Sequence, residues 1–152
     1  MLNSSMSYRG RWAPKNKNKY EGDPTKIVFR SLWERSAFKW CDSNPNIESW
    51  SSEETVIPYR SAVDGRVHRY FMDLKINWND GRTTLVEIKP AKQTQPPKKP
   101  KRQSRRYLNE VKTFAVNISK WDAAKDYAEN RGWSFEIWTE KHLKNLGIKI
   151  YK

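Results

Sequence analysis

The sequence is poor in the residues that build several common kinds of functional site. It contains one cysteine, Cys41, so no intrachain disulfide can form. Its two histidines, His68 and His142, are far apart, and no cysteine or histidine spacing fits a zinc site. A glycine-rich phosphate loop and a Gly-x-Ser-x-Gly elbow are also missing. These absences exclude a disulfide scaffold, a zinc module, a P-loop nucleotide-binding site and a hydrolase of the serine-elbow type.

Long apolar runs are missing as well. No stretch of the sequence is long and apolar enough to span a membrane, and the N-terminus is polar and basic, unlike a signal peptide. The 152 residues are enough for one domain with a sizeable core. We therefore expect a soluble intracellular protein without a membrane partner, in which Cys41 packs within a helix.

Acidic residues are absent from two segments, and the positive charge is concentrated there. Residues 1–20 and 92–106 supply twelve of the thirteen excess positive charges. The basic residues in these segments are Arg9, Arg11, Lys15, Lys17, Lys19, Lys92, Lys98, Lys99, Lys101, Arg102, Arg105 and Arg106. Lys and Arg bind nucleic-acid phosphates by releasing counterions, whereas membrane binding would need an amphipathic apolar face that neither segment has. The charge favours nucleic acid, with solvated segments that only aid solubility as the alternative.

A β-hairpin is predicted for residues 68–90, HRYFMDLKINWNDGRTTLVEIKP, because apolar and polar residues alternate on both sides of a turn. A three-residue loop at 79–81, with Gly81 in the left-handed conformation, keeps all apolar side chains on one face. This register gives three pairs: Met72 with Ile88, Leu74 with Val86, and Ile76 with Thr84. It also places Asp73 directly across from Glu87.

Two carboxylates on neighbouring strands repel each other unless a cation lies between them. Magnesium prefers such hard oxygen ligands and often takes only one or two carboxylates, with water and substrate oxygens completing its shell. Lys89 points to the same side as Glu87, two residues further along the strand. The alternative is an exposed charge ladder of Asp73, Lys75, Glu87 and Lys89 on a solvated face of the sheet.

Helical and strand patterns surround this hairpin. Residues 1–24 are read as an extended basic arm that Trp12 and Tyr20 could attach, and residues 25–152 as one domain with a basic Pro/Lys-rich loop at 91–106. The first helix should begin after the N-cap Ser31 and end near Asp42, and the Ser31-x-x-Glu34 spacing is that of a capping box.

Strands are predicted at 47–50, 55–59 and 133–138 and a last helix at 140–146. Helical periodicity runs through Leu108, Val111, Ala115 and Ile118 and continues past a second capping-box-like start at Ser119. The order of helix, strands, helix and strand indicates an α/β or α+β fold, with a mixed sheet flanked by helices.

A helix with Glu34, a strand ending its apolar run at Asp73, and Glu87-Ile88-Lys89 on the next strand resemble the PD-(D/E)xK nuclease superfamily. The segments YFMD at 70–73 and FEIWTE at 135–140 look like the branch that contains the transposon endonuclease TnsA. Met72 stands where many members have proline. Three further segments resemble the head completion nucleases of T-even-like tailed phages: YRGRW at 8–12, KYEGD at 19–23 and RSLWER at 30–35.

The resemblance implies a restriction-endonuclease-like core and metal-assisted phosphodiester hydrolysis. It implies that Asp73 and Glu87 hold Mg²⁺ or Mn²⁺, that Glu34 orients a water or helps a second ion, and that Lys89 positions the attacking water. The basic segments would then grip double-stranded DNA without reading its sequence.

The resemblance also implies a place for the activity. It indicates phage head completion and DNA packaging before tail attachment, with portal, neck or other head proteins as partners. The protein would then be found in the head-neck region of the virion and in the host cytoplasm during assembly. Two other readings stay open: a non-catalytic head-neck connector or DNA-binding plug that keeps the nuclease fold, and an RNA-binding module.

Overall fold

The computed structural model describes residues 8–150. In chain order these residues form β1 (Gly10–Arg11), β2 (Val28–Phe29), α1 (Leu32–Ser43), β3 (Ile47–Ser51), β4 (Val56–Arg60), β5 (Val67–Phe71), β6 (Leu74–Trp78), β7 (Thr83–Ile88), α2 (Arg105–Asn130), β8 (Ser134–Trp138) and α3 (Glu140–Asn145). The main sheet has the order β3-β6-β7-β8, in which β8 runs parallel to β7 and the other neighbours are antiparallel. This mixed sheet with flanking helices confirms the predicted α+β, restriction-endonuclease-like fold class.

The main sheet is covered on both faces. On one face, Phe38 and Cys41 of α1 pack with Leu74 and Val86 of the sheet. On the other face, Leu85 packs in a second cluster beneath α2. The apolar side chains are predicted to lie on one face of the hairpin, whereas β7 is buried on both sides, so the alternative of a solvated face is wrong for this strand. Strict alternation along a strand describes an uncovered second face, and here α2 covers that face.

The predicted register of the hairpin is confirmed over most of its length. Leu74 pairs with Val86 and Ile76 with Thr84, and Gly81 has a φ of 92° in the turn. Met72 departs from the prediction, because it exchanges backbone hydrogen bonds with residues 53–55 instead of pairing with Ile88. The first strand of the hairpin is thus broken into β5, which pairs with β4, and β6, which belongs to the main sheet.

Helix α2 is one continuous helix of 26 residues. The second helix start predicted at Ser119 is not used, because the Ser119 hydroxyl donates to the Ala115 carbonyl and accepts the Ala62 N–H, each at 3.1 Å. The second half of α2 packs on the sheet. The predicted apolar stripe of residues 108–118 is not buried, since Leu108, Val111 and Ile118 are 38 to 42% exposed.

The basic N-terminal segment lies against the domain over its described part, residues 8–24, and so differs from an extended arm. Trp12 contacts the rings of Phe38 and Trp50, with centroid distances of 5.8 Å for both. Tyr20 is 6% exposed, and its hydroxyl accepts the Ser52 N–H at 3.1 Å. Residues 1–7 of the predicted arm lie outside the described residues. Within residues 8–150, no helix is long and apolar enough to cross a membrane.

Candidate active site

A cleft of about 250 Å³ lies at the edge of the main sheet beside the N-terminus of α1. All four predicted site residues line this cleft: Glu34, Asp73, Glu87 and Lys89. The topology explains why they meet. Because β6 and β7 are antiparallel, the start of β6 next to Asp73 lies at the same edge as the end of β7, which carries Glu87.

Asp73 is half-buried and Glu87 is buried, and their carboxyl groups lie close enough to interact electrostatically. The Ile88 N–H donates to Oδ2 of Asp73 at 2.8 Å, and this bond fixes the side chain across the two strands. Burial, reinforced by the charge of Glu87, raises the pKa of Asp73 well above its ordinary value. The predicted opposition of the two acids is present, but in a covered site and not on a solvated face. The exposed charge ladder is therefore wrong for this pair, since Glu87 is only 7% exposed.

Two aromatic side chains donate hydrogen bonds to Glu87. The Tyr70 hydroxyl donates to Oε1 of Glu87 at 2.5 Å, and Nε1–H of Trp121 donates to the same oxygen at 3.4 Å. Burial and the charge of Glu87 raise the pKa of Tyr70, so the phenol keeps its proton and remains a donor. Sequence reasoning missed both residues, because strict alternation places Tyr70 on the face opposite Asp73. The break between β5 and β6 removes that constraint.

Glu34 lies in the first turn of α1 and faces the cleft from the helical side. Its backbone N–H donates to the Ser31 hydroxyl at 3.1 Å, which confirms Ser31 as the N-cap. Its carboxylate accepts the Arg30 N–H at 3.0 Å, whereas the predicted capping box would return a bond to Ser31. Burial, with smaller contributions from the charges of Glu53 and Glu87, raises the pKa of Glu34 to about 7.

Lys89 is held at the cleft by its backbone, since its N–H donates to the Trp138 carbonyl at 3.1 Å and extends the β7–β8 ladder. Its side chain is half-buried. The other predicted basic residues lie outside the cleft lining. Exposed side chains are found at Arg9, Arg11, Lys15, Lys17, Lys92, Lys98, Lys99, Lys101, Arg102, Arg105 and Arg106.

Lys19 differs from the other basic residues of the N-terminal segment. Its ammonium group donates to the carbonyls of Asp42 and Asn44 at the end of α1, at 3.1 and 2.5 Å. Burial lowers its pKa. Lys19 therefore satisfies free carbonyls of the helix terminus, and a phosphate would have to compete with them.

The donor atoms of Asp73 and Glu87 determine which metal ions the carboxyl pair could bind. Among residues 8–150, no three His, Cys, Asp or Glu side chains are close enough to form a metal cage by themselves. The Asp73–Glu87 pair still suits Mg²⁺ or Mn²⁺, because these ions take hard oxygen donors and leave several positions to water and phosphate oxygens. The pair also lacks an ion-pair partner among the described residues, and a cation would relieve its repulsion.

Comparison with known proteins gave two matches. Residues 44–140 match the family described as TnsA-like endonuclease N terminal, and this range contains Asp73, Glu87 and Lys89. The chain is also 48% identical over 148 residues to the Head completion nuclease of Enterobacteria phage T4, with 95% of this chain and 99% of that protein covered. No solved structure gave a significant match.

Proposed function

The chain belongs to the TnsA-like endonuclease family, and from this premise we propose that it is a divalent-metal-dependent DNA endonuclease acting in phage head completion. One observation carries the catalytic part of the proposal: the neighbouring carboxyl groups of Asp73 and Glu87 line the same cleft as Lys89. This combination provides oxygen donors for a metal ion next to a cation that can face a phosphate.

Asp73 and Glu87 would hold the metal ion, with Glu34 close enough to the cleft to orient a water or assist a second ion. A bound Mg²⁺ or Mn²⁺ would polarise the phosphodiester and lower the pKa of a coordinated water. The Ile88 N–H fixes Asp73, and Tyr70 fixes Glu87, so both carboxyl groups are oriented before substrate arrives.

Lys89 would stabilise negative charge on the reacting phosphate, and Glu34 would accept a proton from the attacking water. The Lys89 ammonium would position the attacking water and offset the negative charge that develops on the phosphate oxygens. Glu34 accepts the Arg30 N–H through Oε1, and its other oxygen could take a proton from that water. A pKa of about 7 makes such a transfer possible near neutral pH, where the group exists in both forms.

The first test is cleavage of linear and supercoiled DNA with Mg²⁺ or Mn²⁺ and with chelator, for the wild type beside Lys89→Ala. We expect the variant to lose about 10²- to 10³-fold in cleavage rate, because a preorganised charge next to the phosphate is removed. Folding should be kept, since the backbone of Lys89 makes the ladder bond and the side chain is half-buried.

Lys125→Ala is the matched control for this variant. Lys125 is exposed, lies outside both basic segments and does not line the cleft. Its loss should change cleavage only slightly. Equal rates for wild type and Lys89→Ala would refute the role of Lys89. Metal-independent binding without any cleavage by the wild type would instead favour the non-catalytic connector or plug.

The basic segments would grip the phosphates of double-stranded DNA. Replacing Lys98, Lys99, Lys101 and Arg102 together by glutamine should lower the slope of log affinity against log salt by about 2 to 4, since each lost phosphate contact removes roughly 0.9. The control replaces four exposed lysines elsewhere: Lys39, Lys125, Lys141 and Lys144. The same change of slope in both variants would show a general charge effect and contradict a binding role for this loop.

The proposed place of action is the phage head. The name of the relative supports a role in completing phage heads. We propose that the protein acts on DNA in the head-neck region, in contact with portal, neck or other head proteins, and that it is present in the host cytoplasm during assembly and in the virion. This location is tested by assaying purified virions and purified tailless heads for the protein.

A further inference from the structure

Arg30 is a second cation of the cleft, and it lies in the short connection between β2 and α1. It directly precedes Ser31, the N-cap of α1, and its backbone N–H donates to Glu34. Its side chain is 50% exposed, and Arg30 and Lys89 are the two basic residues that line the cleft. The side chain is therefore accessible to a bound strand, while its backbone is fixed by the helix start.

The guanidinium group of Arg30 is held from one side. Its Nε donates to Oε1 of Glu53 at 2.9 Å. This contact uses the inner nitrogen of the group and leaves the two terminal nitrogens for a second pair of acceptor oxygens. A guanidinium group can bind two phosphate oxygens at once through two parallel N–H···O bonds, a forked contact that an ammonium group cannot reproduce.

Glu53 makes this contact from a strained backbone conformation. Its φ is 57°, and among residues 8–150 it is the one residue other than glycine with a positive φ. Its N–H donates to the Met72 carbonyl at 2.9 Å, so the strained residue is tied to the position just before Asp73. An unfavourable left-handed conformation persists only where surrounding contacts impose it, and such residues cluster at functional sites.

The ion pair alone gives no stability reason for this strain. Arg30 and Glu53 are 50% and 28% exposed, and exposed ion pairs add little to folding stability. The contact does, however, fix the orientation of the Arg30 guanidinium group. A strand phosphate entering the cleft would approach the acidic side chains of Glu34, Asp73 and Glu87, so a cation beside the phosphate favours its binding.

We propose that Arg30 binds a backbone phosphate of the DNA strand in the cleft and that Glu53 is a positioning residue that aims its guanidinium group. This assignment rests on the proposed nuclease function. Lys89 would act at the reacting phosphate as a point charge, and Arg30 would fix the strand through a forked contact from the α1 side.

The test measures single-turnover cleavage, duplex binding and melting temperature for Arg30→Ala, Arg30→Lys and Glu53→Gly. Arg30→Ala should slow cleavage about 10²-fold and lower the salt slope of binding by about 1. Arg30→Lys should restore the salt slope but little of the rate, because the fork is lost. Glu53→Gly should slow cleavage about 10-fold while the melting temperature stays the same or rises, because glycine removes the strain.

Arg82→Ala is the matched control, because Arg82 is also exposed and also pairs through Nε with a carboxylate, Asp80, at 2.7 Å, but in the hairpin turn. Its cleavage rate should stay at the wild-type level. An unchanged salt slope in Arg30→Ala, full activity in Arg30→Lys, or a lower melting temperature with normal cleavage in Glu53→Gly would each overturn the proposal.

Binding is measured with chelator, so the salt slope does not depend on catalysis. If the wild type cleaves nothing, the proposed nuclease function fails. In that case a lower slope in Arg30→Ala still supports the phosphate contact, and an unchanged slope refutes it.

Discussion

Replacing Glu87 with glutamine should abolish DNA cleavage and at the same time raise the melting temperature of the metal-free protein. The variant keeps the shape of the side chain but removes one of the two carboxylates proposed to hold the metal ion, so we expect a loss of at least about 10³-fold in cleavage rate. The stability gain follows because burial and the charge of Glu87 oppose ionisation of Asp73, so without a cation the folded pair must hold a proton that the unfolded chain gives up near neutral pH.

The contacts of Glu87 are compatible with glutamine. The amide carbonyl can accept from the Tyr70 hydroxyl and from Trp121 in place of Oε1. The new amide N–H₂ group can donate to the Asp73 carboxylate, which in the wild type lies beside the carboxyl group of Glu87. Removing the charge that opposes ionisation of Asp73, and adding this hydrogen bond, should add on the order of 1 to 3 kcal/mol, which is a rise of several degrees in a domain of this size.

Cleavage under single-turnover conditions and thermal unfolding with chelator measure the two effects. Glu136→Gln is the control, because Glu136 also accepts an indole N–H, from Trp138 at 2.9 Å, but is itself exposed. It should change neither quantity. Loss of cleavage together with a fall in melting temperature in Glu87→Gln would mean that the carboxylate supports the fold, which contradicts our interpretation of the pair.

The central part of the site could be predicted from the sequence because its determinants are local. The register of the hairpin depends on Gly81 and on alternation within a few residues on each side, and it correctly set Leu74 opposite Val86. The position of Asp73 and Glu87 at one sheet edge follows from that register. Their burial could not be predicted in this way, because the helix that covers them begins at Arg105.

The residues that sequence reasoning missed depend on contacts between distant segments. Trp121 reaches Glu87 across 34 positions, and Arg30 reaches Glu53 across 23. The break before Asp73 has a local cause only in part, since it needs residues 53–55 to take the backbone bonds of Met72. Similarly, the charge of Lys19 indicated a free basic residue, while its partners lie at the end of α1.

The metal-free protein should lose stability as the pH rises from about 5 to 8, because Glu34 and Asp73 prefer their protonated forms in the folded state. Burial raises the pKa of Glu34 from 4.5 to about 7. Between these two values the folded protein binds more protons than the unfolded chain, so the free energy of unfolding falls with rising pH. The loss caused by Glu34 is on the order of 2 to 3 kcal/mol once the pH exceeds its folded pKa.

Thermal unfolding across this pH range, for the wild type and Glu34→Gln with chelator, isolates that loss. The net charge of +13 affects both proteins nearly alike, so the difference between their curves reports the carboxylate. The glutamine can still accept the Arg30 N–H, and the variant should therefore be the more stable protein at pH 8 and nearly equal to the wild type at pH 5. Parallel curves would contradict a raised pKa for Glu34. Mg²⁺ should stabilise the wild type more at pH 8 than at pH 5, because a cation binds the carboxyl cluster only after its protons have left.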